Sequence, residues 1–283
     1  MVLIFLAAWK RQAITEICFM GINRLRKNSR FPIEALCVIS EEEKIPLCEK
    51  YGIRWTFYKN DPLGEKKNHG LDEAMKIEGW EYLLEIGSDD LVKDELLRMY
   101  SGYFGKYDYF GTKDAVIINS ESGDCRRLKS DTTYGLGRCL SRKVIEKVCH
   151  GVDVIAKEGI MARGRTVGKG NKGFFPLLVA RELEGLGRVE ITGEPRYRLW
   201  KDDIVRGLDN NSDYFLMTQL IGHRTVPTTK PLCIDIKGVD NIWPYNAKLG
   251  TAYDLDQALE GLSNEEKSAI FALWKRKHID YAV

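Results

Sequence analysis

The chain has 283 residues, 43 basic and 41 acidic, and 44% of it is apolar. Charged residues at 30% and aromatics at 10% exclude an integral membrane protein and a mainly disordered one. The net charge of +2 predicts no partner in bulk, so any nucleic-acid or membrane surface has to be a local patch.

The apolar run at the start ends at Trp9, and basic residues follow it where a signal peptide would have them first. It is also shorter than the ~20 residues of a membrane span. Val2 to Ala8 therefore reads as a buried first strand, apolar on both faces as parallel strands are. Ile14, Ile17, Cys18, Ile22 and Leu25 recur at helical spacing. Ala35 to Ile39 is a second strand. Ser40 is placed to cap a helix over Glu41 to Lys50, with Gly52 at its end, although Pro46 pushes the start past residue 43. Arg54 to Tyr58 reads as a third strand, Lys66 to Ile77 as a third helix, and Tyr82 to Ile86 as a fourth strand. This alternation predicts right-handed crossovers and a mostly parallel sheet with helices on both faces.

Beyond residue 100 the pattern is less regular. Tyr107 to Gly111 and Ala115 to Asn119 read as strands, and residues 120–124 as a hairpin turn. Leu140 to Val148 reads as a short helix, and 161–173 as a mobile loop with four glycines, four basic residues and no acid. A helix over 211–221, a strand over Leu232 to Ile236 and a terminal helix over Asn264 to His278 complete the chain. The expected organisation is a nucleotide-binding half, 1–110, and an acceptor-binding half, 111–283, sharing one sheet. The seven cysteines, at 18, 37, 48, 125, 139, 149 and 233, contain no C-x-x-C pair and read as reduced core thiols of a cytoplasmic protein. Four histidines without an H-E-x-x-H pattern give no histidine metal site.

The chemistry concentrates at Gly87-Ser88-Asp89-Asp90, two adjacent carboxylates at the C-terminal edge of a buried strand, where open α/β sheets bind ligands. Crowded carboxylates repel, and a hard divalent cation such as Mg²⁺ or Mn²⁺ relieves that repulsion and can hold a diphosphate. The plain alternative is that Asp89 or Asp90 caps a helix beginning near Val92. Upstream, Leu63-Gly64-Glu65-Lys66-Lys67-Asn68-His69-Gly70 places a lysine, an asparagine and glycines at a helix entrance suited to a nucleoside or phosphate. Solvated helix lysines are the alternative there. Asp235 and Lys237 alternate on a strand and point to one face, which suits either a diphosphate or a solvent-facing edge pair.

Taken together, residues 1–100 resemble the family 2-like glycosyltransferases of the GT-A fold, phage-type or bacterial. The resemblance rests on the strand end Ala7-Ala8-Trp9-Lys10-Arg11, the 63–70 segment and Gly87-Ser88-Asp89-Asp90. It implies a nucleotide-sugar donor, a divalent cation and transfer of a sugar to an acceptor hydroxyl with inversion. Ser88 stands where the family's strand-end motif has its first acid. By position Asp90, with Asp89 as second candidate, takes the metal. Ala8, Lys10 and Arg11 wall the nucleobase, and Lys66, Asn68, Ser88 and Asp89 line the donor. Gly135, within Tyr134 to Arg142, resembles the segment returning beneath the sugar, and Lys237 would neutralise the leaving charge. Asp209, which also reads as an N-cap, resembles the catalytic base, with Asp202 and Asp203 as rivals. Arg163, Arg165, Lys169 and Lys172 make a basic patch for an acceptor, either a surface glycan precursor or a modified base in DNA. Rival readings are a non-catalytic carbohydrate- or nucleic-acid-binding relative and a nucleotidyltransferase. The latter wants a glycine-rich loop after strand one, where this chain has no glycine until 21. Oligomeric state and donor identity are not readable from the sequence.

Overall fold

The computed structural model describes residues 1–131, 133–162, 165–203, 223–238 and 245–280. The first third alternates as expected: β1 (Val2–Ala7), α1 (Gln12–Asn28), β2 (Ile33–Ile39), α2 (Ile45–Lys50), β3 (Arg54–Phe57), α3 (Leu63–Lys76) and β4 (Tyr82–Glu85). β1 is apolar throughout and almost entirely buried, which fits a strand covered on both faces. The Ser40 cap does not form. A turn of 3-10 helix over Glu42–Lys44 precedes α2, and Pro46 falls in the first turn of α2, where its missing N–H costs nothing.

Next come β5 (Asp90–Val92), α4 (Asp94–Tyr100), β6 (Tyr109–Gly111), β7 (Asp114–Asn119), β8 (Cys125–Lys129) and β9 (Arg138–Ser141). After them lie α5 (Arg142–Val144), β10 (His150–Ala156), β11 (Ile160–Ala162), β12 (Arg165–Val167), β13 (Lys172–Pro176) and α6 (Leu177–Gly185). The chain continues with β14 (Val189–Ile191), β15 (Arg196–Tyr197), β16 (Arg224–Thr225), β17 (Cys233–Lys237), β18 (Thr251–Ala252), a short helix Leu255–Leu259 and a C-terminal helix Asn264–Asp280.

Among the described residues the main sheet runs β16-β6-β9-β4-β1-β2-β3. Its heart, β4-β1-β2-β3, is parallel, and β9 enters antiparallel between β4 and β6. The fold is therefore α/β with a mostly parallel central sheet. From β1 the chain builds outward through β2 and β3, then returns to place β4 on the other side of β1. That reversal opens a crevice at the C-terminal ends of β1 and β4, the usual ligand position in such sheets. A second sheet runs β18-β8-β7-β17-β5, and a smaller one joins β10 to β13, β14 and β15 around its own core with α6.

Three expectations are corrected here. Leu140 belongs to strand β9, pulled out of the expected helix by pairing with β4 and β6. The stretch read as a mobile loop holds most of β11, all of β12 and the first two residues of β13, with β11 and β12 forming a hairpin and β13 pairing with β10. The helix expected near Val92 is α4, which starts at Asp94, but its N-cap is Lys93 and neither Asp89 nor Asp90, because Asp90 to Val92 form a strand. All seven cysteines are buried and none is in a disulfide. Among the described residues no helix is long and apolar enough to cross a membrane. Arg163, Asp209, the expected helix 211–221 and the residues just past Gly238 lie outside the described residues.

Candidate functional site

β1 ends at Ala7, and the chain turns through Lys10 and Arg11, both with positive φ (51° and 49°), before α1 begins. Two consecutive left-handed non-glycine residues cost about 1–3 kcal/mol each, and such strain clusters at functional sites. The turn aims the Arg11 guanidinium at the end of β4. Its Nη1 donates to Asp89 Oδ2 at 2.6 Å and its Nη2 to Ser88 Oγ at 3.2 Å.

Asp89 and Asp90 fold back over Gly87, whose N–H donates to Asp90 Oδ2. A Cβ at Gly87 would sit 2.6 Å from Asp89 Oδ1 and 2.9 Å from Asp90 Oδ2, so only glycine leaves room for both acids. Neither acid caps a helix. β5 instead pairs antiparallel with β17, and the register sets Asp90 directly opposite Asp235. Oxygens of Asp89, Asp90 and Asp235 all lie within 4.8 Å of one another. Like charges opposite each other on neighbouring strands are destabilising without a counter-charge. Burial first, and then the neighbouring carboxylates of Asp235 and Asp89, pushes Asp90 well above the usual carboxylate range. Burial likewise raises Asp235, against the pull of Lys237.

Lys237 is 7% exposed and its Nζ lies 2.5 Å from Asp235 Oδ2. β17 lies between β7 and β5, so the reading of a solvent-facing edge pair does not hold. Asp235 Oδ1 and Arg11 Nε are both buried without a hydrogen-bond partner, an acceptor and a donor left over at one crevice. A hard divalent cation fits this oxygen set, and Asp235 supplies a third acid where Ser88 leaves the strand-end motif one short. The sequence pointed to Asp235 only as Lys237's neighbour. The register that brings it to Asp90 joins positions 145 residues apart and leaves no local signal.

The 63–70 segment is arranged differently from the expectation. Leu63 starts α3, and its N-terminus is covered by chain: a Cβ at Gly64 would meet Lys201 O at 1.8 Å, and Glu65 N donates to Asp202 O at 3.3 Å. The entrance is thus not open to a phosphate. Asn68 spends its side chain on residues 199–202, donating to Trp200 O at 2.7 Å and Asp202 Oδ1 at 2.9 Å. It also accepts from the N–H groups of Leu199 and Trp200 at 3.0 and 3.1 Å. With all four of its bonds made, Asn68 is a structural staple and has none left for a donor. Lys66 is fully buried, with Nζ bonded to Ala8 O at 2.6 Å and Asn60 Oδ1 at 3.2 Å. Burial pushes its ammonium down to about 8. It supports the end of β1 from below.

Beneath the crevice, Glu85 at the end of β4 pairs with Lys67, and Arg138 Nη1 lies 3.8 Å from its other oxygen. Lys67 also sits over the Trp200 ring at 4.5 Å. Sequence reasoning missed this buried group, although an acid inside an apolar strand was its signal. Gly135 lies in the turn leading into β9, its carbonyl accepting from Arg138 N at 3.2 Å. The closer approach belongs to Gly137 (φ 78°), where a Cβ would meet Cys233 Sγ at 2.9 Å.

Of the candidate bases, Asp202 is already engaged. Arg196 holds both its oxygens, at 3.0 and 2.7 Å, Arg198 lies at 3.5 Å, and Asn68 donates to it. Burial would raise this carboxyl, but the arginines outweigh burial and hold it below the usual range. A carboxylate this committed is a poor proton acceptor. Asp203 is exposed. Lys169 and Lys172 are exposed around the turn from β12 into β13. A cavity of about 600 Å³ lies at the other end of α1 from Arg11, lined by Asn23, Lys27, Ser263 and Glu265 among others. It shares no residue with the acid cluster.

Neither a protein-family model nor the sequence of a curated protein matches this chain. Among solved structures it is similar to the mannosyltransferase PcManGT from Pyrobaculum calidifontis in complex with GDP-Man and Mn²⁺. The identity is 12% and the TM-score 0.39, over 98% of this chain and 75% of that one. It is also similar to S. aureus TarS in complex with UDP-GlcNAc, at 11% identity and TM-score 0.38, over 99% and 73% of the two chains. A third likeness is to glucosyl-3-phosphoglycerate synthase from Mycobacterium tuberculosis, at 13% identity and TM-score 0.37, covering 52% of this chain and 59% of that one. Identity and TM-score are low in all three, and the site's own geometry carries the functional reading.

Proposed function

We propose that this chain is a GT-A-like glycosyltransferase that moves a sugar from a nucleotide-sugar donor to an acceptor hydroxyl, with inversion and with a divalent cation. The observation that carries this reading is the meeting of Asp89, Asp90 and Asp235 at the crevice between β1 and β4, flanked by Arg11 and Lys237. Three acids and two cations at a topological switch point suit a metal–diphosphate group better than a lone sugar or a base.

Asp89, Asp90 and Asp235 would hold Mn²⁺ or Mg²⁺, which when bound neutralises charge on the leaving diphosphate. Arg11 and Lys237 lie beside those acids and take diphosphate oxygens from the protein side. The turn Ala8 to Arg11 walls the nucleobase, supported from beneath by Lys66. A carboxylate on the face opposite the diphosphate takes the acceptor proton as the acceptor oxygen bonds to the anomeric carbon and the carbon–phosphate oxygen bond breaks. Asp209 is the proposed base, since Asp202 is held by Arg196. Lys169 and Lys172, exposed beside the β11–β12 hairpin, are proposed contacts for anionic groups of the acceptor. The residues before about 110 supply most of the donor side, with β17 as the exception.

Thermal stabilisation by UDP-, GDP- and dTDP-sugars, with and without Mn²⁺, tests the reading. It expects at least one donor to raise Tm only with metal present, and that donor to be hydrolysed slowly without an acceptor. No stabilisation by any nucleotide sugar or nucleoside diphosphate in Mn²⁺ would overturn it.

A further inference from the structure

We propose that Lys237 and Arg11 are resident counter-cations of the acid cluster, released to the diphosphate when a divalent cation takes their place, so that metal and nucleotide bind as a coupled pair. This rests on the reading of the site as a metal–diphosphate site and adds how its occupancy is controlled.

In the chain as it stands, Lys237 Nζ lies 2.5 Å from Asp235 Oδ2 and Arg11 Nη1 lies 2.6 Å from Asp89 Oδ2. Both cations are largely shielded from water, at 7% and 12% exposure. Shielded charges interact strongly, so each occupies its carboxylate as a tethered competitor for any incoming metal. Lys237 and Arg11 are each committed to an acid, so neither offers its charge freely to a diphosphate. A divalent cation on the same oxygens would add two positive charges and leave both side chains to the diphosphate. The metal displaces the ammonium and guanidinium from the carboxylate oxygens they hold, and the diphosphate supplies new acceptors for both.

Two further observations fit an exchange. Arg11 Nε is buried without an acceptor and Asp235 Oδ1 without a donor, so each group keeps one bonding position unused while its other atoms are paired. Lys10 and Arg11 both sit in the left-handed region, in the turn that carries Arg11 to Asp89, and strained backbone of this kind clusters at functional sites. By linkage, whatever factor the nucleotide gives to metal affinity, the metal gives to nucleotide affinity.

The test is titration of the full chain with Mn²⁺ alone, read by the electron paramagnetic resonance signal of free Mn²⁺, and again with saturating UDP or GDP. Wild type should bind Mn²⁺ weakly alone and about tenfold or more tightly with nucleotide. Lys237→Met removes the competitor while keeping most of the side-chain volume. It should bind Mn²⁺ alone about tenfold more tightly than wild type and lose most of the enhancement by nucleotide. Lys237→Arg should behave as wild type. Arg11→Gln should shift Mn²⁺ binding in the same direction as Lys237→Met, and serves in its place if that variant does not fold. Mn²⁺ binding by Lys237→Met and Arg11→Gln no tighter than wild type, with nucleotide enhancement intact, overturns the counter-cation role and leaves the metal site standing. Tight Mn²⁺ binding by wild type alone, unchanged by nucleotide, overturns the coupling. No Mn²⁺ binding by any form, with or without nucleotide, overturns the metal–diphosphate reading itself.

Discussion

Gly87→Ala adds one methyl group at the most crowded point of the site. The new carbon would lie 2.6 Å from Asp89 Oδ1 and 2.9 Å from Asp90 Oδ2, where ordinary contact begins at 3.4 Å. The shortfall is about 0.8 Å for the first acid and 0.5 Å for the second. Gly87 is not a positive-φ glycine, so alanine fits the backbone and the effect is steric. Asp90 cannot simply swing away: it is buried, opposite Asp235, and bonded to the Gly87 N–H. Overpacking of this kind costs about 1–3 kcal/mol, which for a chain of this size lowers Tm by about 2–10 °C. Ligand sets work only when held within about 0.5 Å of their geometry, so Mn²⁺ affinity should fall on the order of tenfold or more. Differential scanning fluorimetry and Mn²⁺ titration measure the two effects. A Gly87→Ala variant with wild-type Tm and wild-type Mn²⁺ affinity would refute the packing of the acids against Gly87.

Asn68→Ala leaves the Leu199 and Trp200 N–H groups and the Trp200 carbonyl without their side-chain partner. Each buried unpaired group costs about 1–3 kcal/mol, so Tm should fall clearly while nucleotide affinity, measured below the transition, changes little. A selective loss of nucleotide affinity would make Asn68 a donor contact after all. Asp90 and Asp235 titrate above the ordinary carboxylate range in the fold, so the folded chain binds more protons than the unfolded one from about pH 4 upward. Metal-free stability should therefore fall as pH rises through that window, and Mn²⁺ should raise Tm more at about pH 8 than at about pH 5.5. An equal Mn²⁺ shift at both pH values contradicts this. Asp209→Asn should cut turnover on the order of a hundredfold with Tm near wild type, whereas Asp202→Asn should lower Tm by loosening Arg196. Near-native turnover in Asp209→Asn would place the base elsewhere.

The parallel heart of the fold was legible because its signals are local. The apolar run Val2 to Ala7, the helical spacing of Ile14 to Leu25 and the acids after β4 each depend on neighbours in sequence. What escaped depends on pairing across the chain. β5 reads as a helix start from residues 89–94, and only its ladder with β17 makes it a strand. The glycine-rich stretch 161–173 has loop composition, yet pairing within the hairpin and with β10 gives it strands. Lys66 and Asn68 had the chemistry of a donor site, but tertiary packing turned both inward, onto Ala8 and onto residues 199–202. Asp235 was visible as an acid on a strand, and its place beside Asp90 was not.

The central claim is that the crevice between β1 and β4 binds a nucleoside diphosphate through a divalent cation held by Asp89, Asp90 and Asp235. Calorimetric titration with UDP and with GDP, each in EDTA and in Mn²⁺, tests it most directly, with Asp235→Asn titrated alongside. The account predicts binding of at least one nucleotide in Mn²⁺, at least tenfold weaker binding in EDTA, and loss of that metal dependence in Asp235→Asn. Equal nucleotide affinity in both buffers, or an Asp235→Asn variant as metal-dependent as wild type, would contradict it.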